Sequence, residues 1–361
     1  MADVLKTWFD EAFYRRLAAD LRETYPRFDT DGFVTATTDG LDALELKARL
    51  MRTSELCRKY LPQDFGRALE IVMAVAPRYD GEFRGMFAPE FVGLYGLADP
   101  ERSLEALSWL TRFSSSESAV RPFLRQDLHG TLKVMRRWAK DDNHHVRRLA
   151  SEGCRPRLPW SFRLEALIDD PSPTLPILKA LRADPELNVR KSVANHLNDI
   201  SKDNPDVMLD LVADWDMANE RTAWIVRHGA RSLIKAGHPR SFALFGFAAK
   251  PRLDVENLTV HPARLKLGQT AAFAFDLVSR ARRAQQLAVD YAIHYVKASG
   301  RPSRKVFKLC ELRLQPDECR TIEKRQTFRD FSTRTHHPGR HVFELLVNGA
   351  TRGEIGFDLS R

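Results

Sequence analysis

The spacing of apolar residues along the chain changes near residue 250. Before this point they recur every three or four residues, and short breaks rich in proline, aspartate and asparagine separate the runs, as in 41–61, 67–75 and 120–139. Beyond it apolar and polar residues alternate, and β-branched and aromatic residues are enriched. The predicted strands include 271–279, 287–296, 305–312 and 341–347. The pattern predicts a multidomain α-then-β chain.

The helical part contains an internal repeat. A valine followed by arginine recurs at 146–147, 189–190 and 226–227, in steps of 43 and 37 residues, and a small apolar residue follows each valine by four positions. A period of about 40 residues with two helices per unit is typical of a HEAT-like α-solenoid, which presents a concave binding surface. The repeated arginines have two interpretations: ion pairs with acids of the next repeat, or contacts with a ligand.

Two domains are therefore predicted. Residues 1–250 form a HEAT-like helical domain, and residues 255–361 form a C-terminal β-sandwich. The strand spacing suits an immunoglobulin-like sandwich in architecture, without the cysteine and tryptophan pattern of antibody domains.

The excess of basic over acidic residues lies entirely in the β part. The chain of 361 residues has a formal net charge of +9, and residues 250–361 hold 21 basic against 12 acidic residues, whereas the first 249 balance at 36 of each. A basic domain beside a neutral one indicates a polyanionic partner, with nucleic acid favoured over a membrane. No apolar run reaches the length of about 18 residues that a membrane span needs. The charged N-terminus lacks the apolar core of a signal peptide, so we expect a cytoplasmic protein.

The cysteine pattern points away from metal binding. The four cysteines form no CxxC pair and no cluster with zinc spacing. We expect free thiols and no zinc site. Cys310 and Cys319 are expected on neighbouring strands, without a disulfide.

Arginines are concentrated in one segment of the helical part. Residues 144–160, HHVRRLASEGCRPRLPW, hold four arginines, one carboxylate and one tryptophan, and Pro156 and Pro159 are expected to end the helix. A surface that grips a phosphate backbone explains this excess, because arginine binds phosphate oxygens bidentately. The predicted nucleic-acid contacts in the helical domain are Phe113, His144, Arg147, Arg148, Arg155, Arg157, Arg163, Arg190, Lys191 and Arg227.

Three stretches resemble a known family. These are 145–160, the segment DPELNVRKSVANHLNDISK at 184–202, and FSSSESAVRPFL at 113–124. They resemble the AlkC branch of the AlkC/AlkD DNA alkylation-repair glycosylases, whose AlkC-type members carry an immunoglobulin-like C-terminal domain. The resemblance covers the whole helical part, and the basic β part agrees with it.

The resemblance implies a monofunctional DNA-3-methyladenine-type N-glycosylase. Such an enzyme excises cationic alkylated bases, N3-methyladenine and N3-methylcytosine, from double-stranded DNA without base flipping and leaves an abasic site. The resemblance also implies that the enzyme needs no metal or cofactor. We expect a monomer, associated with the nucleoid if the source is bacterial.

The chemistry of base release selects the catalytic candidates. Breaking the glycosidic bond develops oxocarbenium character on the sugar, which a carboxylate and an aromatic face stabilise. Glu117, Glu152 and Trp160 meet this need, and the family motif favours all three. Each residue also has a structural alternative. Glu117 is then an acid at the start of a helix over 117–139 that the preceding serines cap. Glu152 is a salt-bridge partner of Arg148 or Arg155, and Trp160 is a core residue. Phe113 precedes Glu117 at the spacing of the aromatic–acid pair of AlkD-type sites.

The β domain is predicted to close over DNA through its basic loops. The two candidate loops are 279–286, with Arg280, Arg282 and Arg283, and 334–340, with Arg334, His336, His337 and Arg340. A competing interpretation of the whole chain is a non-catalytic HEAT-repeat scaffold that binds nucleic acid or protein.

Overall fold

A computed structural model of the protein describes residues 5–248, 250–331 and 335–361. It divides the chain into two compact units, one ending at Gly229 and the other beginning at Ala230. The short helices after Gly229 therefore group with the strands, about 20 residues before the predicted domain boundary.

The first unit is helical. Its α-helices are α1 (Glu11–Thr24), α2 (Thr30–Thr38), α3 (Leu46–Tyr60), α4 (Phe65–Val75), α5 (Phe87–Tyr95), α6 (Pro100–Leu110), α7 (Arg121–Gln126), α8 (Leu128–Trp138), α9 (His144–Glu152), α10 (Glu165–Asp169), α11 (Leu175–Ala180), α12 (Leu187–Asp203), α13 (Pro205–Ala213) and α14 (Glu220–Gly229). Short 3₁₀ turns lie at Leu41–Ala43, Ala76–Tyr79, Phe83–Met86 and Ser172–Thr174. No helix among the described residues is long and apolar enough to cross a lipid bilayer.

The three repeated valines define the stacking of this unit. Val146, Val189 and Val226 are all fully buried, and they lie on α9, α12 and α14. Helix α12 packs against both α9 and α14. The second helices of successive repeats thus lie side by side around a continuous core, as the repeated sequence pattern predicts.

The region around Glu117 differs from its prediction. A turn spans 117–120, and two helices follow in place of one, because Asp127 is extended and its side chain accepts from the backbone N–H of Gly130 at 2.9 Å to cap α8. The serines do not cap a helix here. Ser116 Oγ donates to the carbonyl of Leu107, and α7 begins at Arg121, where the N-cap residue Val120 makes no side-chain hydrogen bond.

The second unit is a β-sandwich preceded by two short helices. These helices are α15 (Arg231–Ala236) and α16 (Pro239–Leu244). The strands are β1 (Leu253–His261), β2 (Arg264–Lys266), β3 (Thr270–Ser279), β4 (Gln285–Val296), β5 (Pro302–Leu314), β6 (Cys319–Thr327), β7 (Gly339–Val347) and β8 (Ala350–Ser360). The four strands predicted from alternation lie within β3, β4, β5 and β7, which confirms those assignments.

Two sheets enclose the core of the sandwich. One has the order β1-β3-β6 and the other β2-β8-β7-β4-β5, and all pairs are antiparallel except β2 with β8. Phe273 of β3 stacks on Phe343 of β7 at 4.3 Å, so aromatic rings join the two sheets. The predicted fold class, a helical domain followed by an immunoglobulin-like sandwich, is confirmed. Cys310 and Cys319 lie in different sheets, so they are not on neighbouring strands, and both thiols are free.

Candidate active site and nucleic-acid interface

A cleft of about 540 Å³ opens in the helical unit. Its walls are mostly apolar, and a few charged side chains reach into it. The apolar lining includes Leu46, Leu50, Met51, Phe83, Met86, Leu94, Pro122, Pro159 and Phe162. The charged lining residues are Lys47, Glu90, Glu117 and Arg148, and the indole of Trp160 completes the cleft. The structure thus brings together three of the residues predicted from the sequence.

Glu117 is held in an ion pair at this cleft. Its Oε2 accepts from Arg148 Nη2 at 2.6 Å and from Ser115 Oγ at 2.7 Å. Arg148 Nη1 also approaches Ser115 Oγ at 3.3 Å. The two charged side chains remain 22% and 29% exposed, so a ligand can reach them. A carboxylate held by a cation and a hydroxyl keeps a defined orientation.

Trp160 is presented outward. Its side chain is 58% exposed, which is unusual for tryptophan. Its backbone has φ of 62°, in the left-handed region that non-glycine residues rarely adopt, and Lys47 Nζ donates to its carbonyl. The loop therefore holds the indole in the cleft mouth and not in the core.

Arg121 anchors the loop that carries Trp160. It is fully buried, and it donates to the carbonyls of Gly153 at 2.9 Å, Arg155 at 2.8 Å and Phe162 at 2.5 Å. Burial lowers the pKa of its guanidinium to about 10. Sequence reasoning did not single out this residue. The available signal was one arginine inside the apolar run 119–124.

Glu152 and Arg155 do not share the cleft. Both are 6% exposed, and Arg155 Nη1 donates to Glu152 Oε1 at 2.6 Å. Arg155 Nε donates to Asp199 Oδ2 at 2.9 Å, and Lys202 Nζ donates to Asp199 Oδ1 at 3.1 Å. This buried network conflicts with the predicted contacts of Glu152 with a sugar and of Arg155 with a phosphate. It corresponds to the structural alternative for both residues.

Two of the repeated arginines have the same structural role. Arg147 donates to the carbonyls of Asp141 and Asp142. Arg190 donates to the carbonyls of Asp184 and Pro185, which occupy the same two positions in its own repeat. Arg147 also pairs with Asp184 of the following repeat at 2.7 Å. These bonds close the turn before each helix, so the predicted phosphate contacts of Arg147 and Arg190 conflict with this geometry.

The other predicted cations of the helical unit lie at its surface or pair with an acid. Arg157 makes a bidentate pair with Asp203, with both distances 2.6 Å. The remaining cations of this set are exposed: Arg163, Lys191 and Arg227.

Phe113 and His144 are half-buried, and each ring lies against another aromatic ring. The ring of Phe113 lies 4.8 Å from that of Trp109, and the ring of His144 lies 4.0 Å from that of His145. Phe113 and His145 line a second cleft of about 360 Å³, which shares Arg148 with the first. Burial, His144 and Arg148 together lower the pKa of His145.

The β domain has a basic depression at one of the two predicted loops. It measures about 340 Å³ and is lined by Lys250, Arg252, Arg282 and Arg283. Gln285 Oε1 accepts from the backbone N–H of Arg252 at 2.7 Å, which fixes the loop to the preceding segment. Four guanidinium and ammonium groups on a fixed backbone can bind a phosphate chain.

The second predicted loop offers less to a ligand. Arg334 lies outside the described residues. His336 is 3% exposed and packs at ring-centroid distances of 5.3 Å from Tyr295 and 6.0 Å from Phe328, so its predicted DNA contact conflicts with its burial. His337 is half-buried, and its carbonyl is 3.0 Å from His341 Nε2.

One group in the described part of the chain has metal-ligand spacing. His294, Glu344 and Glu354 place ligand atoms within 4.8 Å of one another. Glu344, however, already accepts from Arg304 at 2.7 and 3.0 Å, and the Arg304 guanidinium holds the pKa of Glu344 down at about 2. With a cation already bound to the central carboxylate, this group fits an ion-pair network better than a metal site.

Comparison with known proteins places both units in the same class. A family model described as DNA alkylation repair enzyme matches residues 101–233, and a model of the C-terminal Ig-like domain of YhaZ matches residues 254–361. YhaZ of Bacillus subtilis (strain 168) is 39% identical over 360 residues, which is 99% of this chain and 100% of that protein. A solved structure of the Pseudomonas fluorescens alkylpurine DNA glycosylase AlkC, bound to DNA containing an abasic site analogue, is 45% identical, covers 99% of both chains and has a TM-score of 0.92.

The fold and the family models together define a DNA alkylation-repair protein with an immunoglobulin-like C-terminal domain. The chain belongs to the AlkC branch of this family, as the motifs at 113–124, 145–160 and 184–202 predict.

Proposed function

We propose that this protein is a DNA glycosylase that releases cationic alkylated bases, N3-methyladenine and N3-methylcytosine, from duplex DNA without base flipping and leaves an abasic site. The observation that carries the proposal is the cleft in which Glu117, oriented by Arg148, lies with the exposed indole of Trp160. The AlkC relative bound to DNA with an abasic site analogue supports it, because such DNA resembles the product of base release.

The chemistry follows from where charge develops. An N3-alkylated base is a cation and a good leaving group, so the remaining barrier is the oxocarbenium character of the deoxyribose. The carboxylate of Glu117 stabilises this charge and orients the attacking water, and the face of Trp160 adds cation–π attraction. The bond from the Arg148 guanidinium holds the carboxylate of Glu117 in the fixed orientation that this role requires.

Incubating the protein with methylated duplex DNA tests the proposal directly. The expected result is the appearance of free N3-methyladenine and N3-methylcytosine, identified by chromatography and mass spectrometry, with abasic sites in equal amount. Undamaged DNA is the control. Tight binding of duplex DNA with no released base would instead favour the non-catalytic scaffold.

The β domain is proposed to supply a second DNA contact through its basic depression. Replacing Arg282 and Arg283 together by alanine is expected to weaken binding to all duplex sequences alike. If each contacts one phosphate, the slope of log affinity against log salt falls by about 1.8. Salt titrations of binding to a lesion-containing duplex measure this slope.

The matched control is Arg280→Ala in the same loop. Arg280 is already paired with Asp254 at 2.6 Å and Glu256 at 3.2 Å, so its loss should change the slope much less. Equal slopes for the double variant and the unaltered protein would show that the depression does not contact DNA.

A further inference from the structure

The cleft contains a second carboxylate that the sequence motifs did not indicate. Glu90 lies on α5 and lines the cleft with Glu117 and Trp160. It is half-buried, and burial raises the pKa of its carboxyl while the nearby Lys47 ammonium opposes that rise. Among the residues that the structure describes, Glu90 has neither a hydrogen bond nor an ion pair, whereas Glu117 has Arg148.

The two carboxylates therefore differ in their bonded partners: Glu117 is bonded to Arg148, whereas the Lys47 ammonium acts on Glu90 only at a distance. Glu117 is oriented by its bond to Arg148, and the proposed function assigns it to the charge that develops on the sugar. Lys47 donates to the carbonyl of Trp160, so its hydrogen bond is directed at the loop and not at Glu90. A carboxylate without a bonded cation, beside apolar walls, attracts a cation more strongly than it would in water.

Resting on the function proposed above, we infer that Glu90 is the specificity residue that recognises the positive charge of the damaged nucleotide. An undamaged purine or pyrimidine is neutral and gains nothing from it. The alkylated nucleoside carries one positive charge both in the ground state, on the base, and in the transition state, shared with the sugar. A carboxylate that does not touch the sugar stabilises both states to a similar extent, so it favours binding over rate.

Binding by two matched lesion analogues tests the inference. One duplex carries N3-methyladenine on a 2′-fluoro sugar, where the fluorine disfavours the oxocarbenium and preserves the bond. The other carries 3-deaza-3-methyladenine on the same sugar, which keeps the shape and lacks the charge. Glu90→Gln in the full chain is expected to weaken binding of the cationic duplex by about tenfold, as expected for a pair of unit charges in a partly desolvated cleft. Binding of the neutral duplex should stay within about twofold.

Single-turnover rates separate recognition from catalysis. At saturating Glu90→Gln protein, the rate of N3-methyladenine release should remain within about twofold of the unaltered protein. Glu55→Gln is the control, because Glu55 is exposed on α3 and does not line the cleft, so it removes the same charge elsewhere. An unchanged preference for the cationic duplex would overturn the inference, and so would a loss confined to the saturating rate.

Failure of the proposed function is a separate result. If the unaltered protein releases no base from any cationic lesion, the glycosylase proposal fails. The preference for the cationic over the neutral duplex can still be measured in that case, and it decides the role of Glu90 in recognition.

Discussion

Replacing Glu117 by glutamine is expected to slow release of N3-methyladenine about 10- to 100-fold at saturating enzyme. One preorganised group that faces developing charge can contribute about 100- to 1,000-fold, and the smaller loss is expected here because the charge of this lesion already weakens its glycosidic bond. Glutamine keeps the size of the side chain and can still bond Ser115, but it cannot stabilise a cation. The loss should be larger for a less labile lesion, because less of the driving force then comes from the leaving base. Single-turnover measurements with both lesions check this expectation.

The companion variant is Glu152→Gln. The family motif predicts that it slows base release in the same way, whereas its buried pairing with Arg155 predicts a loss of stability. Removing one partner of a buried ion pair costs about 3–5 kcal/mol when the other charge is left uncompensated, and the cost here should be smaller because Arg155 keeps its bond to Asp199. Thermal unfolding beside the single-turnover rate separates the two. A variant with unaltered stability and a much slower rate would restore Glu152 to the catalytic group.

A rate for Glu117→Gln equal to that of the unaltered protein, with both lesions, would remove Glu117 from the mechanism. Thermal unfolding of this variant is the control for folding, and a shift of a few degrees or less is expected because the pair with Arg148 is partly exposed.

Arg121→Ala is expected to produce the largest loss of stability among these variants, about 3–5 kcal/mol in the free energy of unfolding. The substitution removes a fully buried side chain and leaves the carbonyls of Gly153, Arg155 and Phe162 without their donor. Because these carbonyls fix the loop that presents Trp160, base release should fall with the stability. Urea unfolding measures the first effect and single-turnover kinetics the second.

Two variants on the same helix refine this test. Arg121→Lys keeps the charge, but an ammonium lacks the planar fork that reaches several carbonyls at once, so an intermediate loss is expected. Arg125→Ala removes an exposed guanidinium that stacks on the Phe162 ring at 3.6 Å, and a loss of about 1 kcal/mol or less is expected. If Arg121→Ala unfolds at the same urea concentration as Arg125→Ala, the anchoring role is wrong.

The periodicity of the chain determined the order of the domains, because apolar residues recur at different spacings in buried helices and in buried strands. The change of spacing falls where the charge balance of the chain also changes. The repeated valines determined the stacking of α9, α12 and α14, since each has to bury the same face. The FSSSES and RPRLPW motifs identified Glu117 and Trp160, and both reach the same cleft.

Tertiary structure alone decided which charged groups are available to a ligand. The sequence predicts that Arg147, Arg155 and Arg157 contact phosphates. In the structure each pairs with a carboxylate of a following repeat, which lies 37, 44 and 46 residues further along the chain, respectively. Glu90 and Lys47 enter the cleft from helices that no motif links to Glu117. A sequence pattern states which face of a helix a side chain occupies, but its ion-pair partner comes from another helix, and only packing brings the two together.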